Sequence, residues 1–283
     1  MSIWEAIIYA ICGGICELLP MSFSGHAAVL QNAFQLSPLS EGGGYFVRAA
    51  IILGVILAIL LALPSEIGSA YMGWRLLRQK RRPRRGDNRA QLQIRTTRLY
   101  LFAVIPMFLS FLFLAYADRI SRLPYIAGFL FLNGCFIYMC CRKKLHQRAE
   151  ERTERDLTIF DALKIGFVRM LSVFPGLSSV GSSLAVGRSV GLEPQCNARI
   201  AYTLTLGYEV GALIFYMLRG IFFGSFSAMI LLACVVSVIC AAVVGYFALQ
   251  YVRYLLEKKR LNFFAYYCWD MAMIVLILAL INS

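Results

Sequence analysis

The sequence predicts an all-α integral membrane protein with about six spanning helices and two re-entrant helical hairpins. Three observations support this fold class: an apolar composition, apolar runs of membrane-spanning length, and basic residues that lie between those runs. The 283 residues are 60% hydrophobic, with a mean hydropathy of +0.69. A soluble domain needs a polar surface that this composition does not supply, so lipid must cover much of the chain.

Six apolar runs are each close to the roughly 20 residues that a helix needs to cross a bilayer. They occupy residues 45–63, 99–116, 125–141, 200–218, 222–250 and 263–281. We predict one spanning helix in each run and a single membrane domain over residues 1–283. The expected location is therefore a cell membrane, with the chain crossing it several times.

Basic residues give the chain a net charge of +13. They cluster in short segments between the apolar runs and form no continuous basic face, so topology explains the charge better than nucleic-acid binding does. No nucleic-acid partner is expected. The positive-inside rule places the basic loop 64–98 in the cytoplasm, together with residues 142–155 and 253–260. The connections at 118–123 and 219–225 are then outside.

Two further apolar segments, residues 3–34 and 160–192, must each enter and leave the membrane on one side. The first precedes a helix that runs from outside to inside, so it enters from outside. The second lies between two cytoplasmic points, so it enters from the cytoplasm. The hairpins are thus predicted to be inverted with respect to each other, within repeats that span roughly residues 1–117 and 158–250.

Proline, serine and glycine break both hairpins, as L-P-M-S-F-S-G at residues 19–25 and F-P-G-L-S-S-V-G at residues 174–181. Inverted repeats with broken helices expose backbone N–H groups that hydrocarbon cannot satisfy, and an anion suits such donors. We therefore predict that the two breaks meet near the middle of the membrane around an anionic group. The alternative is that proline and serine only kink ordinary spanning helices.

The first break also carries Glu17, Ser22, Ser24 and His26. Ionisable residues inside a membrane indicate function. A carboxylate such as Glu17 can bind a metal or accept a proton beside a phosphate, and a histidine near a serine can act as general base or nucleophile. The alternative for His26 is a buried histidine bonded to the backbone.

These motifs resemble those of a known family, the undecaprenyl-diphosphate phosphatases of the bacitracin-resistance type. Residues 17–26, E-L-L-P-M-S-F-S-G-H, are similar to the family's E-F-L-P-(V/I)-S-S-T-G-H, and residues 175–181 are similar to its P-G-x-S-R-S-G. Residues 53–58 also resemble the family's third helix. The resemblance covers most of the chain and implies six spans with two inverted hairpins in the bacterial inner membrane. It also implies hydrolysis of undecaprenyl diphosphate, which recycles the lipid carrier of cell-wall synthesis.

The resemblance implies a role for residues of both breaks. Catalysis is expected from Glu17, Ser22, Ser24 and His26, phosphate binding from Gly176, Ser178, Ser179 and Gly181, and a divalent cation, Mg²⁺ or Ca²⁺, on Glu17. Four positions depart from the family's pattern. Gly13 replaces the first acid of an E-x-x-x-E pair, Phe23 replaces a serine, Ser179 replaces an arginine, and Arg48 replaces an acid of the third helix.

Other charged residues could take over the roles of the replaced family residues. Arg48, Arg169 and Arg188 lie in the hairpins or in the helix beside them, and arginine supplies forked donors for phosphate oxygens. Glu209 interrupts an apolar run and is expected to bind the cation together with Glu17. The alternative is that these residues form buried ion pairs, for example Arg48 with Glu209.

The leading hypothesis is therefore hydrolysis of a polyprenyl diphosphate, with the lipid and the bilayer as partners. The alternative is a non-hydrolytic relative that binds or transports a polyprenyl-phosphate lipid, since inverted broken-helix repeats also suit alternating access. A structural membrane subunit would explain the composition but not Glu17 and His26. A homodimer is possible, but the sequence does not specify the oligomeric state.

Overall fold

The computed structural model describes residues 1–79, 87–117, 122–141 and 152–281. In these residues the chain is helical, which confirms the predicted all-α class. The helices, in chain order, are α1 (Ile3–Cys16), α2 (Phe23–Phe34), α3 (Gly44–Ala62), α4 (Pro64–Arg78), α5 (Asn88–Ala117), α6 (Leu123–Cys140), α7 (Ile159–Leu171), α8 (Ser179–Ser189), α9 (Pro194–Phe223), α10 (Ala228–Glu257) and α11 (Phe263–Ile281).

Five helices, α3, α6, α9, α10 and α11, are each long and apolar enough to cross a membrane. They correspond to five of the six predicted spans, and large apolar side chains such as Phe247 and Ile239 lie exposed on them. The chain is thus a multi-pass membrane protein. The sixth predicted span, residues 99–116, falls in α5, but its last apolar residues lie outside the described side chains, so the count of six stays a prediction.

The helices of the two predicted hairpins are short. Helices α1, α2, α7 and α8 have 14, 12, 13 and 11 residues. At about 1.5 Å per residue they reach roughly 16–21 Å, less than the ~30 Å of a bilayer's hydrocarbon core. Each pair is interrupted at its break, α1 from α2 by residues 17–22 and α7 from α8 by residues 172–178. Entry of the two hairpins from opposite sides stays a prediction of the charge pattern.

The same capping arrangement starts the second helix of each hairpin. Ser22 precedes α2 and its side-chain oxygen accepts a hydrogen bond from the Gly25 N–H, while Ser178 precedes α8 and accepts one from the Gly181 N–H. Serine favours this position because its hydroxyl satisfies an N–H group that the first helical turn leaves unpaired. Both breaks thus end in the same S-x-x-G cap, while the inverted internal repeat stays a prediction.

Small residues let α1, α3 and α10 approach each other closely, as is common between membrane helices. A Cβ atom at Gly14 would lie 2.8 Å from the carbonyl oxygen of Ala241, and one at Gly54 would lie 2.6 Å from that of Val238. This packing holds the end of α1, which carries Glu17, against the side of α3 that carries Arg48.

Residues 64–98, predicted to be a basic loop, are largely helical instead. Pro64 begins α4, a position that tolerates its missing N–H, and the first turns of α5 follow from Asn88. The two helices pack closely where Gly73 meets the backbone of Gln93. Residues 80–86, 118–121 and 142–151, in the predicted connections, lie outside the described residues.

Candidate active site

The two hairpin breaks are in direct contact, as predicted. The Gly176 N–H donates a hydrogen bond to the Ser22 side-chain oxygen at 3.0 Å, and the Ser178 hydroxyl donates one to the Leu19 carbonyl at 3.4 Å. Gly176 has a φ of +113°, a conformation that favours glycine. The breaks therefore exchange hydrogen bonds in both directions, and the first turns of α2 and α8 lie at one junction.

A polar cavity of about 120 Å³ lies at this junction. One water molecule needs about 10–15 Å³ measured in this way, so the cavity holds several polar atoms of a guest. Its walls come from both breaks, from α3 and from α9. The polar residues in the lining are Glu17, Ser22, Ser24, Arg48, Ser172, Ser179, Tyr208 and Tyr216.

A second cavity, of about 190 Å³, adjoins the first. The two share Phe23, Ser24, Arg48 and Tyr216 in their linings. The second continues past Gln31 of α2 to residues 39 and 40, in the connection before α3. The predicted topology places that connection on the outer side of the membrane, so the polar junction is expected to open outward.

Glu17 and Arg48 form an ion pair at the edge of both breaks. One guanidinium nitrogen of Arg48, Nη2, lies 2.5 Å from Glu17 Oε1, and each side chain is 13% exposed. The guanidinium carbon also lies 4.1 Å from the centre of the Phe23 ring and 5.5 Å from that of Tyr216. Arg48 thus pairs with Glu17, and not with Glu209 as the ion-pair alternative suggested.

Arg169 lies behind the second break and is almost completely buried, with 1% of its surface exposed. Its Nη1 donates hydrogen bonds to Ser183 Oγ at 3.2 Å and to Thr205 Oγ1 at 3.0 Å, and it reaches the Ser179 carbonyl at 3.4 Å. Its Nε and Nη2 atoms have no hydrogen-bond partner. Arg169 therefore supports the first residue of α8 and keeps unused donors.

Glu209 of α9 is equally buried, with 1% of its surface exposed. It lines neither of the two cavities.

The two serines of the first break have different surroundings. Ser22 is buried, and its side-chain oxygen accepts N–H groups from both Gly25 and Gly176. Both acceptor positions are then occupied, so the hydroxyl proton of Ser22 points to Ser24 Oγ, 3.1 Å away. Ser24 is exposed to both cavities. Its hydroxyl is therefore the one in this break that can contact a guest.

His26 does not line either cavity. Its Nδ1 donates to the Ser22 carbonyl at 2.6 Å, its Nε2 accepts from the Tyr267 hydroxyl at 2.7 Å, and its ring stacks on that tyrosine. Both ring nitrogens are engaged, so the placement matches the alternative interpretation of a buried histidine bonded to the backbone. The expected use of His26 as nucleophile or general base does not agree with this geometry.

Arg188 is also separated from the rest of the predicted site. It lies nine residues after Ser179 on α8, which corresponds to about 14 Å along a helix, and it lines neither cavity. Of the three arginines predicted to bind phosphate, Arg48 reaches the cavity, Arg169 lies behind its wall, and Arg188 is elsewhere.

The residues present do not fit the expected divalent cation. Mg²⁺ and Ca²⁺ require several oxygen ligands, usually with more than one from carboxylates or substrate phosphates. In the described part of the chain, Glu17 is the only carboxylate that lines either cavity, and Arg48 already binds it. Within the same residues no group of three His, Cys, Asp or Glu side chains could hold a metal.

Two further residues, Asn133 and Tyr267, contact the breaks and were not predicted from the sequence. Asn133 is fully buried on α6, and its side-chain oxygen accepts the Ser178 N–H at 3.2 Å. Tyr267 holds His26 from α11. A signal was available for Asn133, because a carboxamide in an apolar run needs a partner. No comparable signal exists for Tyr267, since tyrosine is common in spanning helices.

The fold and the site together define a multi-pass membrane protein that encloses a polar cavity between two broken-helix hairpins. Residues 6–274 match the family described as bacitracin resistance protein BacA, and the chain belongs to that family. The resemblance found in the sequence motifs is thereby confirmed.

Three relatives match the chain almost from end to end. Undecaprenyl-diphosphatase 1 of Shouchella clausii is 27% identical over 283 residues, covering 98% of this chain and 96% of the relative. The undecaprenyl-diphosphatase of Halothermothrix orenii is 25% identical over 281 residues, covering 99% of each. That of Methanobrevibacter smithii is 27% identical over 281 residues, covering 97% of each. The similarity to these relatives therefore extends over nearly the whole chain.

Proposed function

We propose that this protein hydrolyses undecaprenyl diphosphate to the monophosphate and phosphate in a bacterial inner membrane, and so recycles the lipid carrier of cell-wall synthesis. The observation that carries the proposal is the polar cavity formed where the two breaks exchange hydrogen bonds. Two relatives are named undecaprenyl-diphosphatase, and these names indicate the substrate and favour hydrolysis over lipid transport.

The cavity offers three kinds of donor to a diphosphate. The first turns of α2 and α8 present backbone N–H groups, which favour anions at a helix N-terminus. Arg48 has a guanidinium nitrogen, Nη1, without a hydrogen-bond partner. Ser24 adds an exposed hydroxyl. The polyprenyl tail would remain in the surrounding lipid, where it needs no enclosing pocket.

In the proposed reaction Ser24 Oγ attacks the terminal phosphorus. The new bond from oxygen to phosphorus forms as the bond to the bridging oxygen breaks, and the lipid monophosphate leaves. The serine proton passes to water in the cavity. A water molecule then displaces the serine, so one water is consumed and Ser24 recovers its proton. Donors already in place around the cavity stabilise the charge on the transferred group.

Phosphate release by the purified protein tests this function. With farnesyl diphosphate in detergent micelles, wild-type protein is expected to release phosphate, and Ser24→Ala is expected to lower the rate by about 10⁴- to 10⁶-fold, because the attacking group itself is lost. Ser24→Thr keeps a hydroxyl and should retain most of the activity. Ser189→Ala, which removes a hydroxyl on α8 that lines neither cavity, serves as the matched control. Absence of phosphate release by the wild type in every buffer, with and without divalent metal, contradicts the proposal.

A further inference from the structure

We propose that Arg48 takes the place of a divalent cation in this site, so that the diphosphate binds without metal. The inference rests on the proposed function, because it concerns the same cavity and the same ligand. It follows from the contacts of Arg48 and from the space around Gly13.

Arg48 occupies the position beside the cavity carboxylate. Its Nη2 bonds to Glu17 Oε1 at 2.5 Å, and its side chain lines both cavities. A metal ion bound by Glu17 would have to lie next to this guanidinium, and two cations a few ångströms apart repel each other strongly where little water screens them. The positive charge that a metal would bring to Glu17 is already supplied by the chain.

The other edge of the same guanidinium is available for a ligand. Arg48 Nη1 is buried and has no hydrogen-bond partner, and a buried donor without a partner is unfavourable. A phosphate oxygen in the cavity would satisfy it with a charge-assisted hydrogen bond. In this arrangement Glu17 is a positioning residue, because it holds one edge of the guanidinium and presents the other to the ligand.

The Phe23 ring packs against the guanidinium group of Arg48. The guanidinium carbon lies 4.1 Å from the ring centre, within the range of a cation–π interaction, and Tyr216 lies on another side at 5.5 Å. Arginine suits such a site because its planar group can stack on a ring and still donate from its edges.

Ile51 and the same ring leave little space for a further acid. A Cβ atom at Gly13 would lie 2.4 Å from Cγ2 of Ile51 and 3.3 Å from the Phe23 ring. A glutamate at position 13 would therefore require Ile51 to move, and to a smaller extent the ring that supports Arg48. The packing around Gly13 thus disfavours a second carboxylate at this position.

The test measures binding of farnesyl diphosphate to the purified full-length protein by isothermal titration calorimetry. Wild-type protein is expected to bind equally well in excess EDTA and in Mg²⁺ or Ca²⁺. Arg48→Gln should weaken binding about 30-fold or more in both conditions, the usual cost of removing one partner of a buried charge pair. Arg48→Glu should bind only when a divalent metal is present. Arg219→Gln is the control, because Arg219 packs against the Tyr45 ring away from the cavity.

The outcomes separate the inference from the proposed function. Wild-type binding that requires a divalent metal overturns the role of Arg48, even if phosphate is released with that metal. Metal-free binding without phosphate release in any buffer supports the role of Arg48 and overturns the phosphatase. Absence of binding in all conditions overturns both. The wild-type comparison decides the question even if the Arg48 variants fail to fold.

Discussion

The side-chain oxygen of Ser22 accepts a hydrogen bond from the backbone nitrogen of Gly176 at 3.0 Å. This contact joins two hairpins that lie 154 residues apart in the sequence. The same oxygen also caps α2 through the Gly25 N–H. One hydroxyl therefore fixes both the start of α2 and the position of the second break, on which the shape of the cavity depends.

We expect Ser22→Ala to destabilise the folded protein by about 1–3 kcal/mol, because two buried N–H groups lose their acceptor. The measurement is the unfolding midpoint in detergent micelles, followed by circular dichroism. Ser189→Ala, whose hydroxyl donates to the Val186 carbonyl and accepts no backbone N–H group, should change the free energy of unfolding by no more than about 0.5 kcal/mol. Equal effects of the two substitutions would show that the contact between the hairpins contributes nothing.

Gly176→Ala should be strongly destabilising for a different reason. Its φ of +113° disfavours a side chain, and a Cβ atom there would lie 2.8 Å from that of Phe129 and 2.9 Å from the Ile126 carbonyl. We expect a loss of about 2 kcal/mol or more, combining backbone strain with overpacking.

Gly128→Ala provides the control on the neighbouring helix, because nothing lies within 4 Å of a Cβ atom at that position. It should be neutral or stabilising by up to about 1 kcal/mol, since alanine is the better helix former. A Gly176→Ala protein that unfolds at the wild-type midpoint would contradict the described conformation of Gly176 and its close contact with α6.

The ion pair of Glu17 and Arg48 predicts strong coupling between two substitutions. Glu17→Gln leaves a largely buried arginine without its partner, which typically costs about 3–5 kcal/mol. The double variant Glu17→Gln with Arg48→Gln should lose less stability than the sum of the single variants, and a double-mutant cycle of unfolding midpoints measures the difference. Additive losses would mean that the two side chains do not interact.

The sequence could predict where the helices of each hairpin are interrupted, but not the direction in which the side chains of the break point. Proline, serine and glycine in an apolar segment indicated both breaks and their meeting point, because buried N–H groups must find partners. The separation of Ser24 from His26 depends on where α2 begins. With about 100° of rotation per helical residue, side chains two residues apart face nearly opposite directions. Ser24 therefore reaches the cavity and His26 reaches Tyr267.

The partner of Arg48 could not be deduced from the sequence for a related reason. Glu17 directly follows α1 and Glu209 lies in α9, and the choice between them depends on how α1, α3 and α9 pack. The close approach of α1 and α3 to α10 through Gly14 and Gly54 makes Glu17 the partner. Such packing depends on contacts among three helices, which no single segment encodes.

The predicted topology has its own test in intact cells. A cysteine introduced as Ser225→Cys lies in the connection between α9 and α10, which we expect to be outside, and Lys258→Cys lies after α10, which we expect to be inside. An impermeant maleimide should label the first and not the second, with wild-type protein as the background for the native cysteines. The opposite pattern would reverse the topology and direct the cavity towards the cytoplasm.

The most direct test of the central claim follows the lipid itself. Proteoliposomes that contain the wild-type protein and undecaprenyl diphosphate are incubated, and the lipid is then extracted and its products are identified and quantified by mass spectrometry. We predict conversion to undecaprenyl monophosphate with an equal amount of released phosphate, and loss of that conversion in Ser24→Ala. Recovery of intact undecaprenyl diphosphate that the protein has bound or moved across the membrane would contradict the account and indicate a lipid transporter.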